Sequence, residues 1–126
     1  MLGSASPVAF LPSGDLDRSR RFYEDTLRLR CIEQNPIAVV FDINGISLRI
    51  TLVDAPPASP FTVFGWVVAD IHASIAGLLA VGVSFQRFPG MTQDEHGAWG
   101  APGGALVAWF LDPDANLLSL TQPPPP

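Results

Sequence analysis

The sequence predicts an α+β fold made of two tandem βαβββ units, and three observations carry the prediction. A strand, a capped helix and further strands run in that order twice, on either side of a Pro-rich break at 55–60. The second round aligns with the first: Asp15 with Asp70, Leu16 with Ile71, Ser19 with Ser74, and 48–51 with 118–121. An Asn44-Gly45 pair between two apolar runs marks a two-residue hairpin, because both positions tolerate positive φ.

Each element has its own local reason. Residues 8–11 form a short apolar run that ends at Pro12-Ser13-Gly14, a strand followed by a turn. Asp15 is an N-cap, with Asp17 adding negative charge to the first turn of the helix. Leu16, Phe22, Tyr23 and Leu27 share one helical face, and Arg20–Glu24 and Arg21–Asp25 are pairs four residues apart on the wet side. Strands are predicted at 30–34, 38–43 and 46–53. After the break come a strand at 62–68, a second cap at Asp70, and a buried helical stripe of Ile71, Ile75, Leu78 and Leu79 that Gly82 ends. The offset between the halves grows from 55 at the caps to 70 at the last strands, so the second half carries an insertion, placed at 87–103.

Residues 1–126 are accordingly read as one domain, with unit one at about 7–54, a linker at 55–60, unit two at about 61–122 and a disordered Pro tail at 123–126. Composition narrows the function classes. Hydrophobic residues make up 48% and charged residues 15%, which describes a folded chain. Every apolar run is interrupted well before the roughly 20 residues that span a bilayer, so no membrane partner is expected. The net charge of −5 argues against nucleic acid, which needs a basic footprint. A single cysteine, Cys31, and no signal peptide in 1–7 point to the cytoplasm. Cys31 has no activating base beside it and reads as a packed thiol.

Two stretches resemble a known family. Asp15-Leu16-Asp17-Arg18-Ser19-Arg20-Arg21-Phe22-Tyr23-Glu24-Asp25-Thr26-Leu27 resembles the first helix of vicinal-oxygen-chelate proteins, the glyoxalase, bleomycin-resistance and extradiol-dioxygenase superfamily. Asp112-Pro113-Asp114-Ala115-Asn116, with the apolar strand after it, is similar to that family's closing turn, in which glycine is usual where Ala115 stands. If Ala115 has positive φ, the alanine costs about 1 kcal/mol. The stretch 97–121, with Gly103-Gly104 and Trp109-Phe110, is similar to a bacterial subgroup that lacks the usual metal ligands.

The resemblance implies a curved mixed sheet of two open half-barrels, with helices outside and ligand in a concave cleft. It also implies a small-molecule ligand and a homodimer. Metal-dependent members place His or Glu at four inward positions, which map here to Val8, Arg49, Val63 and Ser119. None of these is a usual ligand, so no metal and no cofactor are expected. Strand alternation puts Ser47, Arg49 and Thr51 on the face opposite Leu48 and Ile50, and Ser119 opposite Leu118 and Leu120. Trp66 is expected on the helix side.

The expected ligand-binding residues are Val8, Phe10, Arg49, Val63, Val67, Trp99, Trp109 and Ser119. Arg49 reads either as a fork for an anion or as a paired or snorkelling cation. Trp109 fits a cavity wall as well as it fits core. In Asp94-Glu95-His96, His96 reads as a base near a stacking Trp99 or as part of a solvated loop, and His72 reads as a solvated surface residue. Three functions follow. The first is a metal-free protein binding a small organic, anionic or aromatic molecule. The second is a metal-independent lyase or isomerase that uses Arg49 and His96 catalytically. The third is a drug-sequestering protein of the bleomycin-binding kind.

Overall fold

The computed structural model describes residues 1–126, which divide into two compact units, Met1–Pro57 and Ala58–Pro126. Each carries one four-stranded mixed sheet with a helix on one face, as the α+β prediction requires.

In the first unit, β1 (Val8–Ser13) leads to α1 (Leu16–Arg20), then β2 (Arg30–Asn35), β3 (Ala38–Ile43) and β4 (Ile46–Leu52). The sheet order is β1-β4-β3-β2, with β1 parallel to β4 and the other pairs antiparallel. β1 runs two residues past its predicted end. Pro12 is tolerated inside it because β1 lies at the sheet edge, where a missing N–H disrupts no ladder. Ser13 Oγ accepts the Asp15 N–H at 3.1 Å and lies 2.7 Å from Ser19 Oγ, and Asp15 Oδ1 caps α1 by accepting the Arg18 N–H.

The helix departs from the prediction beyond Arg20. Arg21–Thr26 winds as a π-helix, with Leu27 N–H donating to the Phe22 carbonyl five residues back. Arg20 reaches Glu24 at 3.3 Å, but the predicted Arg21–Asp25 pair does not form. Tyr23 is the residue this segment buries completely, edge-on to Phe22 and 5.7 Å from Phe41. Phe41, Val39, Leu48 and Ile50 are fully buried, and the Tyr23 contact fixes their side of the sheet as the helix side. Asn44 (φ 50) and Gly45 (φ 88) both take the left-handed region, as the hairpin prediction requires.

The second unit repeats the order with β5 (Thr62–Val67), α2 (Ile71–Ala80), the two-residue β6 (Trp99–Gly100), β7 (Leu106–Leu111) and β8 (Leu117–Gln122). The sheet order is β5-β8-β7-β6, again with the first pair parallel. Asp70 caps α2 by accepting the Ala73 N–H. Gly82 (φ 93) ends it with a Schellman motif: Val83 N–H donates to the Leu78 carbonyl and Gly82 N–H to the Leu79 carbonyl. Ile71 and Ile75 are buried, Leu78 is half-buried, and Leu79 is exposed, because it falls at the margin of the apolar stripe rather than within it. Trp66 packs on the helix side as predicted, stacked 6.2 Å from the fully buried Phe110.

The turn before β8 is built on one carboxylate. Asp112 Oδ1 accepts the N–H groups of Asp114 and Asn116, and Oδ2 accepts Asn116 Nδ2–H at 2.8 Å. Ala115 has φ 61, the strained conformation anticipated for it. Residues 123–126 form no regular element, and no helix is long and apolar enough to cross a membrane.

Candidate functional site

The face of the first sheet opposite α1 follows from the strand register. Phe10 on β1, Arg49 on β4 and Val40 on β3 lie side by side, and Val8 and Ser47 form the next pair along. Phe10 is 64% exposed and Val8 is exposed, whereas Arg49 is half-buried. The Arg49 guanidinium makes no hydrogen bond or ion pair. This removes the ion-pair reading of Arg49, since no internal carboxylate neutralises it, and leaves the anion fork and the snorkelling cation.

The corresponding face of the second sheet bears Val67 and Gly65 on β5, Thr121 and Ser119 on β8, and Val107 and Trp109 on β7. Gly65 is required there: a Cβ would collide with Ser119 Oγ and lie 2.8 Å from the Ser119 carbonyl oxygen. Trp109 is pinned by its indole N–H, which donates to Thr62 Oγ1 at 3.0 Å. Phe88 packs edge-on against it at 5.3 Å, and Trp99 lies 6.1 Å away at 37°. Both distances lie in the favourable range for aromatic pairs. All three rings are half-buried, and no charged side chain shares this face.

The inserted segment supplies two of these rings and is tied down by its own polar side chains. Gln93 Oε1 accepts the Phe88 N–H, while its amide donates to the carbonyls of Gln86 and Gly97. Asp94 Oδ1 accepts the N–H groups of His96 and Ala98, and His72 Nε2–H donates to Asp94 Oδ2 at 2.9 Å. Partial burial raises the Asp94 pKa, but the His72 hydrogen bond, the two backbone donors and the His72 charge outweigh it and hold the carboxyl at about 2. His72 is exposed, yet it is a tether for this loop rather than a freely solvated side chain. His96 lies 3.5 Å from Glu95 on the surface of the turn, while Trp99 joins the aromatic group.

The residues at the four positions carried over from the metal-dependent family do not fit a divalent ion. Val8 and Val63 offer no donor, Arg49 is a cation, and Ser119 supplies a single neutral hydroxyl. Elsewhere no three His, Cys, Asp or Glu side chains come together as a metal site would need. An open cavity of about 250 Å³ lies in the first unit against Asp15, Asp17, Gln34 and Leu52, and none of the expected ligand-binding residues lines it. Phe88, Thr62, Gly65 and Gln93 were not singled out in the sequence. Their roles come from ring packing, a side-chain tether, a close strand approach and a loop network, none of which leaves a periodic signal.

Residues 6–120 match the family model described as the Glyoxalase/Bleomycin resistance protein/Dioxygenase superfamily. The chain belongs to this superfamily. No curated protein matches this superfamily member. Solved structures show the same fold at low identity. The bleomycin resistance determinant encoded on the transposon Tn5 aligns with a TM-score of 0.73 at 21% identity, covering 95% of this chain and 98% of that one. Lactoylglutathione lyase from Agrobacterium tumefaciens aligns at 0.73 and 17%, covering 94% and 93%. The genomically encoded fosfomycin resistance protein from Listeria monocytogenes aligns at 0.73 and 16%, also covering 94% and 93%.

Proposed function

We propose that this superfamily member binds a small organic molecule with an aromatic body, without a metal, on the ring-bearing face of its second sheet. The observation that carries this reading is the fixed Trp109. Its indole is tethered to Thr62, flanked by Phe88 and Trp99, and left half-exposed rather than packed away as core. A pre-positioned ring loses little freedom when a ligand stacks on it, so more of the contact energy appears as affinity. The hydroxyls of Ser119 and Thr121 offer hydrogen bonds beside the rings, and the lack of charge on this face suits an uncharged ring system.

In the same reading the protein is cytoplasmic and homodimeric. The lone thiol of Cys31 supports a reducing compartment. The open edges of β1 and β5, with Phe10 and Val67 exposed, support pairing between copies. Sedimentation at micromolar concentration reads the assembly directly.

Titration with indole, followed by tryptophan fluorescence and calorimetry, tests the ligand reading. Binding is expected to weaken roughly tenfold in Trp109→Ala, the scale of one aromatic pair. A cationic and an anionic aromatic compound run alongside show whether charge matters. An indole affinity unchanged by Trp109→Ala overturns the reading, as does stoichiometric uptake of a divalent metal by the purified protein.

A further inference from the structure

We infer that His72 and Asp94 form a latch that fastens the inserted segment to α2, and that the charge on His72 thereby sets the rings flanking Trp109. The consequence for a ligand rests on the stacking reading above, whereas the latch itself does not.

The segment 86–98 leaves the sheet at Gln86, whose N–H donates to the Trp109 carbonyl at 2.7 Å, and rejoins it where Trp99 pairs with Val107. Between those ends its hydrogen bonds close on the segment itself. Gln93 spans Phe88, Gln86 and Gly97, and the Asp94 N–H donates to the Ala98 carbonyl. The exception is Asp94 Oδ2, which reaches His72 Nε2 on α2 at 2.9 Å. The helix is the firm side of this pair, since Ile71 and Ile75 anchor it in the core. On the segment side, Asp94 Oδ1 accepts the His96 and Ala98 N–H groups and so fixes the turn that runs into Trp99. Gln93, next in the chain to Asp94, bridges to Trp99 and accepts the N–H of Phe88, whose ring meets Trp109 edge-on. Both rings beside Trp109 are therefore placed through the two residues at the latch.

Between pH 5 and 8 the imidazole is the partner that changes charge. The Asp94 carboxyl, held at about 2, stays ionised throughout. A protonated ring gives Asp94 an ion pair as well as a hydrogen bond, whereas a neutral ring keeps at most the hydrogen bond. Few other charges intervene. Arg87, Glu95 and His96 lie on the segment, Asp70 caps α2, and Asp112 and Asp114 sit in the turn before β8. The strands of this sheet carry no ionisable side chain. His96, 3.5 Å from Glu95, is the other imidazole and serves as the control. An exposed pair of this kind shifts an equilibrium by up to about fivefold, so the latch trims the ring arrangement rather than switching it on and off.

NMR of the whole chain from about pH 5.5 to 8 tests the latch without a ligand. The Trp109 indole and Phe88 amide signals are expected to shift together in one step. That step should vanish in His72→Gln, which keeps an N–H donor without a titrating charge, and in Asp94→Asn, and should persist in His96→Gln. Indole affinity by calorimetry is expected to fall about twofold to fivefold across the same interval in wild type, and to stay level in His72→Gln. No step in wild type, a step that survives in His72→Gln, or one lost in His96→Gln overturns the latch. Indole affinity that is equal at both ends of the interval while the step is present overturns its control of the rings. If indole binds at neither pH, the stacking reading falls, and the NMR step alone decides the latch.

Discussion

Replacing Asp112 with alanine removes the acceptor for three N–H groups at once: those of Asp114, Asn116 and the Asn116 side-chain amide. All of them sit in a buried turn, where Asp112 is 5% and Asn116 2% exposed. A stranded buried donor costs about 1–3 kcal/mol, and water entering the vacated space would recover part of it. The expected loss is therefore roughly 3–6 kcal/mol, a large share of the 5–15 kcal/mol that keeps a typical domain folded. Urea unfolding followed by circular dichroism reads this as a midpoint lowered by roughly 1–2 M or more, with the slope unchanged. Asp112→Asn keeps one acceptor oxygen and should lose about half as much, which provides a folded comparison if the alanine variant is too weak to study. A loss below about 1 kcal/mol in Asp112→Ala, at unchanged slope, would refute the idea that this carboxylate organises the turn.

Three further outcomes follow from local geometry. Ala115→Gly relieves a left-handed alanine at φ 61, and it should raise the melting temperature by about 2–4 °C after the greater freedom of glycine in the unfolded chain is subtracted. Gly65→Ala should destabilise by about 1–3 kcal/mol, because the new methyl meets both the hydroxyl and the carbonyl of Ser119. Adding Ser119→Ala should recover only part of that loss in denaturant melts, since the carbonyl stays where it is. The Asp94 carboxyl is held at about 2 against an ordinary 3.8, so the folded state favours its charged form. Its contribution is then fully present above about pH 4 and is lost as pH falls toward 2. The stability gap between wild type and Asp94→Asn should narrow over that interval, and a gap that stays at its pH 5 size as pH falls through 2 would contradict a carboxyl held low by His72 and the two backbone donors.

Much of the architecture was legible in the sequence because it depends on near neighbours. Asp15 and Asp70 cap helices through N–H groups three residues ahead, and Asn44-Gly45 turns a hairpin through its own two residues. Alternation likewise sorted Arg49 from Leu48 and Ser119 from Leu118, while Trp109 stayed open between cavity wall and core. The π-helical winding of Arg21–Thr26 was not legible, since the same apolar spacing serves an α-helix. Leu79 was assigned to the buried stripe because it is apolar, although its angular position sets it at the margin. The aromatic group was half visible: Trp99 and Trp109 stood out, but Phe88 joins them only because Gln93 folds the inserted loop back on itself. His72 looked solitary for a similar reason, as its partner Asp94 lies 22 residues away.

The parallel pairing of the first and last strand in each unit has a consequence for how the chain assembles. β1 cannot find β4 until the chain between them has closed a loop of about 40 residues, from Val8 to Ser47. β5 must close one of about 55, from Thr62 to Leu117. Closure entropy grows only with the logarithm of length, so the longer loop costs about 0.3 kcal/mol more. The second unit therefore accommodates its inserted segment, and the rings it carries, at almost no penalty to closing the sheet. Length in that loop is a nearly free variable, open to change without endangering the frame that displays it.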